Sequence, residues 1–154
     1  MRRRMTRTMP LLAMALLAAF LVSGCWLFDL FGGVSITTRI SDFEDELNKA
    51  DRSQAYLQFH PTQTADYNAI KAAAFWDIPF PVVGVAGAAY AITVTTSSPT
   101  ATPLDVRATV TGPTAFGGPK SARFVMAQDG SDWMIVDILF LDDDGVTWTS
   151  IFPT

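Results

Sequence analysis

Two β-strands joined by a tight turn are predicted by the stretch SARFVMAQDGSDWMIVDILFL, residues 121–141. Ser121–Gln128 and Trp133–Leu141 are rich in the branched and aromatic residues that favour strands. Between them, Asp129-Gly130-Ser131-Asp132 contains the Asp-Gly pair that is typical of a hairpin turn. The stretch therefore predicts an antiparallel hairpin near the C-terminus.

Three further segments predict strands around this hairpin. Leu104–Thr111 alternates apolar with polar side chains, a pattern that gives a strand one buried and one solvent-facing side. Ala88–Thr96 alternates in the same way, and Val146–Phe152 predicts a short last strand after the turn Asp142-Asp143-Asp144-Gly145. Strands that follow one another in this order predict an antiparallel meander.

The segment before the strands has helical rather than strand periodicity. Ser41-Asp42-Phe43-Glu44 matches a capping box with Ser41 as the N-cap, and apolar residues follow it at helical spacing. Asp51–Gln54 repeats the cap pattern before a second helical piece, which Pro61 ends, and a third piece is predicted over about Asp66–Trp76. The chain is therefore predicted to be α+β, with N-terminal helices packed on a curved antiparallel sheet.

Composition limits the classes of protein to which the chain can belong. Its 154 residues fit one domain, and 49% hydrophobic with 17% charged residues excludes a disordered chain. A single cysteine and a single histidine exclude a disulfide framework and a Cys/His zinc site. The four basic residues before position 25 are all arginines, and no acidic residue lies before that position. The rest of the chain therefore has seven basic and fifteen acidic residues, a net charge of −8. That charge argues against nucleic acid as a partner.

The N-terminus has the layout of a cleaved signal peptide. Basic residues up to Arg7 precede the apolar run Leu11–Val22, which makes a helix of about 18 Å, shorter than the ~30 Å hydrocarbon core of a membrane. The run ends in Leu21-Val22-Ser23-Gly24-Cys25, an aliphatic residue, two small residues and then cysteine. This pattern resembles the lipobox of bacterial lipoproteins.

The lipobox resemblance implies that Cys25 becomes the lipidated first residue of the mature chain. Its diacylglyceryl and acyl chains would be the anchor that holds the protein on a membrane. Trp26 stands where family members retained in the inner membrane have Asp, which implies an extracytoplasmic position at the outer membrane or cell surface. An ordinary signal peptide followed by an incidental cysteine is the alternative interpretation.

These features divide the chain into three parts. We predict a lipoprotein signal peptide over residues 1–24, a lipid-anchored tether over 25–37 and one α+β domain over 38–154. The tether begins with the aromatic and apolar stretch of residues 26–31, which favours contact with lipid headgroups. Packing of the same side chains on the folded domain is the alternative.

Two motifs follow the predicted order of helices and then strands. They are a helix with Asp51 and Ala55-Tyr56, and the late hairpin that leads into Trp133-x-Ile135-x-Asp137. Over roughly residues 38–152, this arrangement resembles the NTF2-like (cystatin-like cone) superfamily. The resemblance implies a cone with a pocket at its open end, and a strand on which Trp133 and Ile135 pack towards the helices.

Two titratable residues are candidate acid–base groups. Asp137 has apolar neighbours two positions away on either side, so we expect a buried carboxyl whose pKa is raised. A cross-strand pair with Arg123 or Arg107 is the alternative. His60, the only histidine, is the candidate partner of Asp137, or else a residue at a helix C-terminus that the helix dipole favours.

Five aromatic side chains are candidates to line an apolar pocket with polar handles, and would serve equally as ordinary core. They are Tyr56, Tyr67, Trp76, Tyr90 and Phe124. The acidic turn 142–145 lacks the following Glu of a calcium loop and is predicted to be a solvated turn. We predict no metal site and no cofactor.

We therefore expect a lipid-anchored, extracytoplasmic protein whose domain binds an envelope protein, a peptide or a small apolar ligand without catalysis. The alternatives are a pocket enzyme of the isomerase/cyclase or hydrolase kind that uses Asp137 and His60, and a structural lipoprotein of the cell envelope. The enzyme hypothesis requires that the Asp137 carboxylate and the His60 ring face one common cavity.

Overall fold

One α-helix and a five-stranded antiparallel sheet make up the fold in the computed structural model, which describes residues 33–82, 89–97 and 104–152. The helix is α1 (Ile36–Leu47). The strands, in both chain order and sheet order, are β1 (Ala91–Ser97), β2 (Leu104–Thr111), β3 (Lys120–Asp129), β4 (Asp132–Leu141) and β5 (Trp148–Ser150). The predicted α+β class and meander order are confirmed at this level.

The predictions for the signal peptide, for Cys25 and for the first part of the tether lie outside the described residues. The compact unit that contains the sheet begins at Val34, so the last residues that we assigned to the tether fold with it. Within the described ranges, no helix has both the length and the apolar character needed to cross a membrane.

The helix α1 begins before the predicted capping box. Its N-cap is Ser35, whose hydroxyl accepts a hydrogen bond from the Thr38 backbone N–H, and the predicted N-cap Ser41 is an exposed residue inside the helix. The apolar stripe that faces the core already starts at Ile36 and Ile40, so helical packing extends towards the N-terminus. The Ser41 cap prediction was wrong for this reason.

The second and third predicted helices are short 3₁₀ turns instead. These turns cover Ala55–Gln58, Ala69–Lys71 and Ala73–Phe75. Each stretch is too short to repay the cost of nucleating an α-helix, and Asp66 adopts a positive φ of 49° that interrupts helical geometry between them. The prediction of more than one α-helix is therefore wrong. The apolar residues of the second and third predicted helices do reach the core.

A β-bulge at Val136 determines which way the following side chains of β4 point. Met126 pairs with Ile135 but Val125 pairs with Asp137, so Val136 has no partner on β3. Ile135 and Ile138 consequently both face α1, where they are fully buried, and Asp137 points to the opposite side of the sheet. Strict alternation along β4 would have put Asp137 on the same face as Ile135.

Phe43 of α1 lies at the centre of the core. Its ring makes edge-to-face contacts with Phe59, Trp76, Phe80 and Phe124, at centroid distances of 5.5–6.3 Å. These partners come from the 3₁₀ region and from β3, so one side chain of α1 joins the irregular segment to the sheet. Aromatic pairs in this geometry contribute about 0.5–1.5 kcal/mol each beyond their buried area.

Polar contacts fix the position of α1 along the sheet. The Glu44 carboxylate accepts a hydrogen bond from the Ile92 N–H at 2.7 Å, and the Asn48 side chain bonds both backbone groups of Tyr90. At the other end of the helix, the Arg39 guanidinium donates to the carbonyl of Trp133 at 2.8 Å. The helix is thereby tied to both the first and the fourth strand.

We predict that Phe43→Ala lowers the free energy of unfolding by about 3–5 kcal/mol, because it removes a fully buried ring and leaves a cavity. Leu57→Ala, at an exposed position of the 3₁₀ region, should cost less than about 1 kcal/mol. Urea unfolding of the full chain measures both values. Similar losses for the two variants would contradict the central role of Phe43.

Candidate functional site

His60 is held by backbone groups on every side. Its backbone N–H donates to the Ile135 carbonyl at 2.7 Å, and its Nδ1 lies 3.3 Å from the backbone nitrogens of Thr62 and Gln63. With Nδ1 as the acceptor, Nε2 carries the proton and donates to the Gln128 carbonyl at 3.3 Å. The imidazole is buried, and these bonds give it a structural role between the 3₁₀ region and the hairpin.

Asp137 is half-buried on the sheet face opposite α1. Its Oδ1 accepts hydrogen bonds from the Ile138 N–H at 2.7 Å and from the Ser150 hydroxyl at 2.8 Å. Burial raises the pKa of this carboxyl, and the two hydrogen bonds oppose that rise. Burial was the predicted cause of the raised pKa of Asp137, and it is the observed one. The carboxyl is, however, on the other face of the sheet from the one that we expected. The predicted pairing with Arg123 goes instead to Asp105.

The structure does not bring Asp137 and His60 together. The His60 ring contacts Gln128, whereas Asp137 pairs with Val125, three residues further along β3 and about 10 Å away at the strand rise of ~3.3 Å per residue. Neither side chain lines any of the three cavities described below. A common acid–base site for these two residues has no geometric support.

The five candidate pocket aromatics separate into two groups. Trp76, Tyr90 and Phe124 are fully buried in the core, where the Trp76 indole donates to the Ile70 carbonyl at 3.0 Å. Burial raises the pKa of Tyr90 to about 12, and its hydroxyl donates to the Pro81 carbonyl. Tyr56 and Tyr67 are half-buried against the core and form an edge-to-face pair 5.9 Å apart, with the Lys71 ammonium over both rings.

Side chains on the sheet face away from α1, which we call the open face, are all exposed or half-buried in the described strands. The strand registers place polar and charged residues there together with Trp148 and the apolar residues Val125, Leu139 and Leu141. Its central members are Arg107, Thr109, Ser121, Arg123, Asp137 and Trp148. A single layer of helix and turns thus covers one side of the sheet, and the side that carries these residues stays accessible.

Two arginines meet at one tryptophan on the open face. Arg107 of β2 and Arg123 of β3 are direct cross-strand partners. Their guanidinium carbons lie 5.8 Å and 5.3 Å from the ring centroid of Trp148 on β5. Arg123 forms an ion pair with Asp105, whereas Arg107 forms none with any residue in the described ranges. Like charges placed directly opposite each other cost stability, which marks this pair as unusual for a sheet surface.

A cavity of about 210 Å³ opens beside this cluster on the open face. It is lined by the polar residues Thr95, Arg107, Thr109 and Ser121 and by the apolar residues Ala108, Ala122, Leu141 and Trp148. No carboxylate belongs to this lining. The site combines a cation, hydroxyl groups and an aromatic ring, which are the components of an anion-binding site.

Two other cavities open on the described surface, and the larger of them shares Ser121 and Leu141 with the cavity at Arg107. The larger, of about 690 Å³, lies between Lys120 and the acidic turn 142–145. In that turn Thr147 and Val146 donate to Asp144 and lower the pKa of its carboxyl, and Thr149 donates to Asp142. These carboxylates are thus used as turn caps. The other cavity, of about 240 Å³, is an apolar groove at Phe75, Ile78 and Ile151.

Trp148 was not predicted from the sequence as a site residue, and Arg107 was predicted only as a possible cross-strand partner for Asp137. The alternation of Leu104–Thr111 did show that Arg107 and Thr109 share the solvent-facing side of β2. The sequence pattern does not show that Leu141 pairs with Trp148, and this pairing places the indole ring of Trp148 beside residues of β2 and β3. Among the described residues, no group of three or more His, Cys, Asp or Glu side chains is arranged to hold a metal ion.

The comparisons with known proteins give no relative for this chain. No protein-family model, no curated protein and no solved structure matches it.

We predict that Asp137→Asn changes how stability depends on pH. Because the folded-state pKa of Asp137 is raised above its ordinary value of 3.8, its contribution to stability is present below pH 3.8 and is lost as pH rises through the folded pKa. Relative to the Asn variant, the wild type should therefore become less stable between pH 4 and pH 7. Urea unfolding at the two pH values measures this, and a difference that does not change with pH would refute it.

Proposed function

We propose that this chain is a lipid-anchored, extracytoplasmic protein whose α+β domain binds a ligand on the open face and catalyses no reaction. The observation that carries the proposal is the convergence of Arg107 and Arg123 on Trp148 at an accessible sheet surface, where Arg107 and Trp148 also line a cavity. The Cys25 anchor would hold this surface at the outer membrane or on the cell surface. No metal or cofactor enters the proposal.

Support for the anchor comes from the sequence. The lone cysteine of the chain stands where the lipobox pattern Leu21–Cys25 requires it, behind a basic region and an apolar run of signal-peptide length. Two or three acyl chains on Cys25 would make attachment effectively permanent, since each buried CH₂ contributes about 0.8 kcal/mol. The chain that follows is acidic, so lipid rather than charge would provide membrane affinity.

Support for a binding rather than a catalytic role comes from the two titratable candidates. His60 uses its ring nitrogens in contacts with neighbouring backbone, and Asp137 accepts two hydrogen bonds on the opposite side of the sheet. A general acid and base must lie within hydrogen-bond reach of one reacting group. These residues have no such common point, so the enzyme alternative loses its main argument.

We also propose that the domain is a small member of the NTF2-like (cystatin-like cone) superfamily. In its favour, a helix precedes an antiparallel meander, and Ile135 in Trp133-x-Ile135-x-Asp137 packs on the helix side of the sheet. Trp133 is half-buried and its carbonyl accepts from Arg39 of α1. The face that would line the interior of a cone is filled by the aromatic core, so the proposed binding surface is the other face.

We expect Cys25→Ala to release the protein from membranes, because it removes the only thiol that can carry the lipid. Ser23→Ala is the matched control, since it keeps a small residue before the cleavage site and should leave the protein membrane-bound. Fractionation of cells that express each variant, with mass spectrometry of the mature N-terminus, measures the outcome. Membrane attachment of Cys25→Ala equal to wild type would overturn the lipid anchor.

A further inference from the structure

We propose that the cavity at Arg107 on the open face is a binding site for a carboxylate group. This inference rests on the proposed role of the open face as the binding surface and names the chemistry of its ligand. The ligand is either a small free carboxylic acid or the C-terminal carboxylate of a peptide, which present the same planar oxyanion to the protein.

The guanidinium of Arg107 is available to a ligand. Arg107 is exposed and lines the cavity, and its guanidinium forms no ion pair within the described part of the chain. Arg123, its cross-strand partner, is engaged by Asp105, and its Nε is buried with no hydrogen-bond partner. An anion bound at Arg107 would therefore relieve the repulsion between two adjacent cations as well as gain charge-assisted hydrogen bonds.

Trp148 acts as a positioning residue for the two guanidinium groups. Both guanidinium carbons lie within 6 Å of its ring centre, where cation–π attraction holds the two groups against the ring. Because the planar fork is then fixed before a ligand arrives, less side-chain entropy is lost on binding.

Hydroxyl groups complete the site next to Arg107. Thr109 and Ser121 are cross-strand partners, and both line the cavity. Each can donate one hydrogen bond to an oxyanion, while the fork of Arg107 can donate two. The cavity of about 210 Å³ is smaller than the ~300–1,000 Å³ of typical pockets for whole ligands, so it fits one end group of a ligand.

Charge favours a carboxylate over a phosphate. Asp105 and Asp137 share the open face with the two arginines, although neither lines the cavity, and the chain after residue 24 has a net charge of −8. A singly charged carboxylate is repelled by these acids about half as strongly as a doubly charged phosphate. One unpaired arginine also neutralises the former completely and the latter only in part.

The test is a titration of the full chain, purified in detergent and labelled with ¹⁵N-tryptophan, with sodium acetate against sodium chloride at equal ionic strength. The chain has four tryptophans, and Trp148→Phe identifies the indole signal of Trp148. We expect acetate to shift this signal saturably while chloride does not, and the signals of Trp76 and Trp133 to stay in place. Equal effects of acetate and chloride at Trp148 would overturn the inference.

Matched variants separate the Arg107 fork from general charge. Arg107→Ala should weaken acetate binding about tenfold or more, and Arg107→Lys should weaken it by a smaller factor because the charge stays but the fork is lost. Lys49→Ala removes an exposed cation elsewhere and should leave the dissociation constant within about twofold. A Lys49→Ala loss equal to that of Arg107→Ala would contradict the site.

Further arms identify the source and the anion. Triglycine with a free C-terminus should compete with acetate if the ligand is a peptide end, and amidated triglycine should not; competition by neither points to a free acid. Tighter binding of inorganic phosphate than of acetate would overturn the choice of carboxylate. If no anion binds while the protein is still attached to membranes through Cys25, this inference alone is refuted. If the Cys25→Ala protein stays on membranes, the lipid anchor is refuted, whatever the titration shows.

Discussion

The packing of one α-helix on one face of the sheet is the constraint on which the rest of the structure depends. Phe43 enters the cluster formed by Phe59, Trp76, Phe80 and Phe124, and thereby closes the core with a single helical layer. An antiparallel sheet can bury one side under such a layer and leave its other side in contact with solvent. The other side is left for side chains that are not selected for core packing, and Arg107, Arg123 and Trp148 occupy it.

Local pattern was sufficient to predict the strands but not the helical region. The alternation of Leu104–Thr111 gave the bounds of β2, and the Asp-Gly pair located the hairpin, where Gly130 adopts a φ of 63° that suits glycine. Upstream, the apolar residues recur at helical spacing whether the chain forms a helix or a series of 3₁₀ turns. Tertiary contacts, rather than periodicity, decide between the two there.

The candidate site depends on strand pairing that a sequence does not display. Asp137 was expected on the same face of β4 as Ile135, because side chains two residues apart share a face in a regular strand. The bulge at Val136 places the two side chains on opposite faces. Arg107 and Trp148 are far apart in the chain and meet only because β2, β3, β4 and β5 pair in order. The residue types were visible in the sequence, but their convergence follows from three separate registers.

One face of the sheet is buried and the other is accessible, and adjacent residues of β3 test this arrangement most directly. Ser121 is exposed on the open face, and Ala122 is buried on the opposite side of the sheet. In the full chain, we expect a maleimide to label Ser121→Cys rapidly and Ala122→Cys only after denaturation. Protection of Ser121→Cys equal to that of Ala122→Cys would mean that something covers the open face, and would contradict its role as a binding surface.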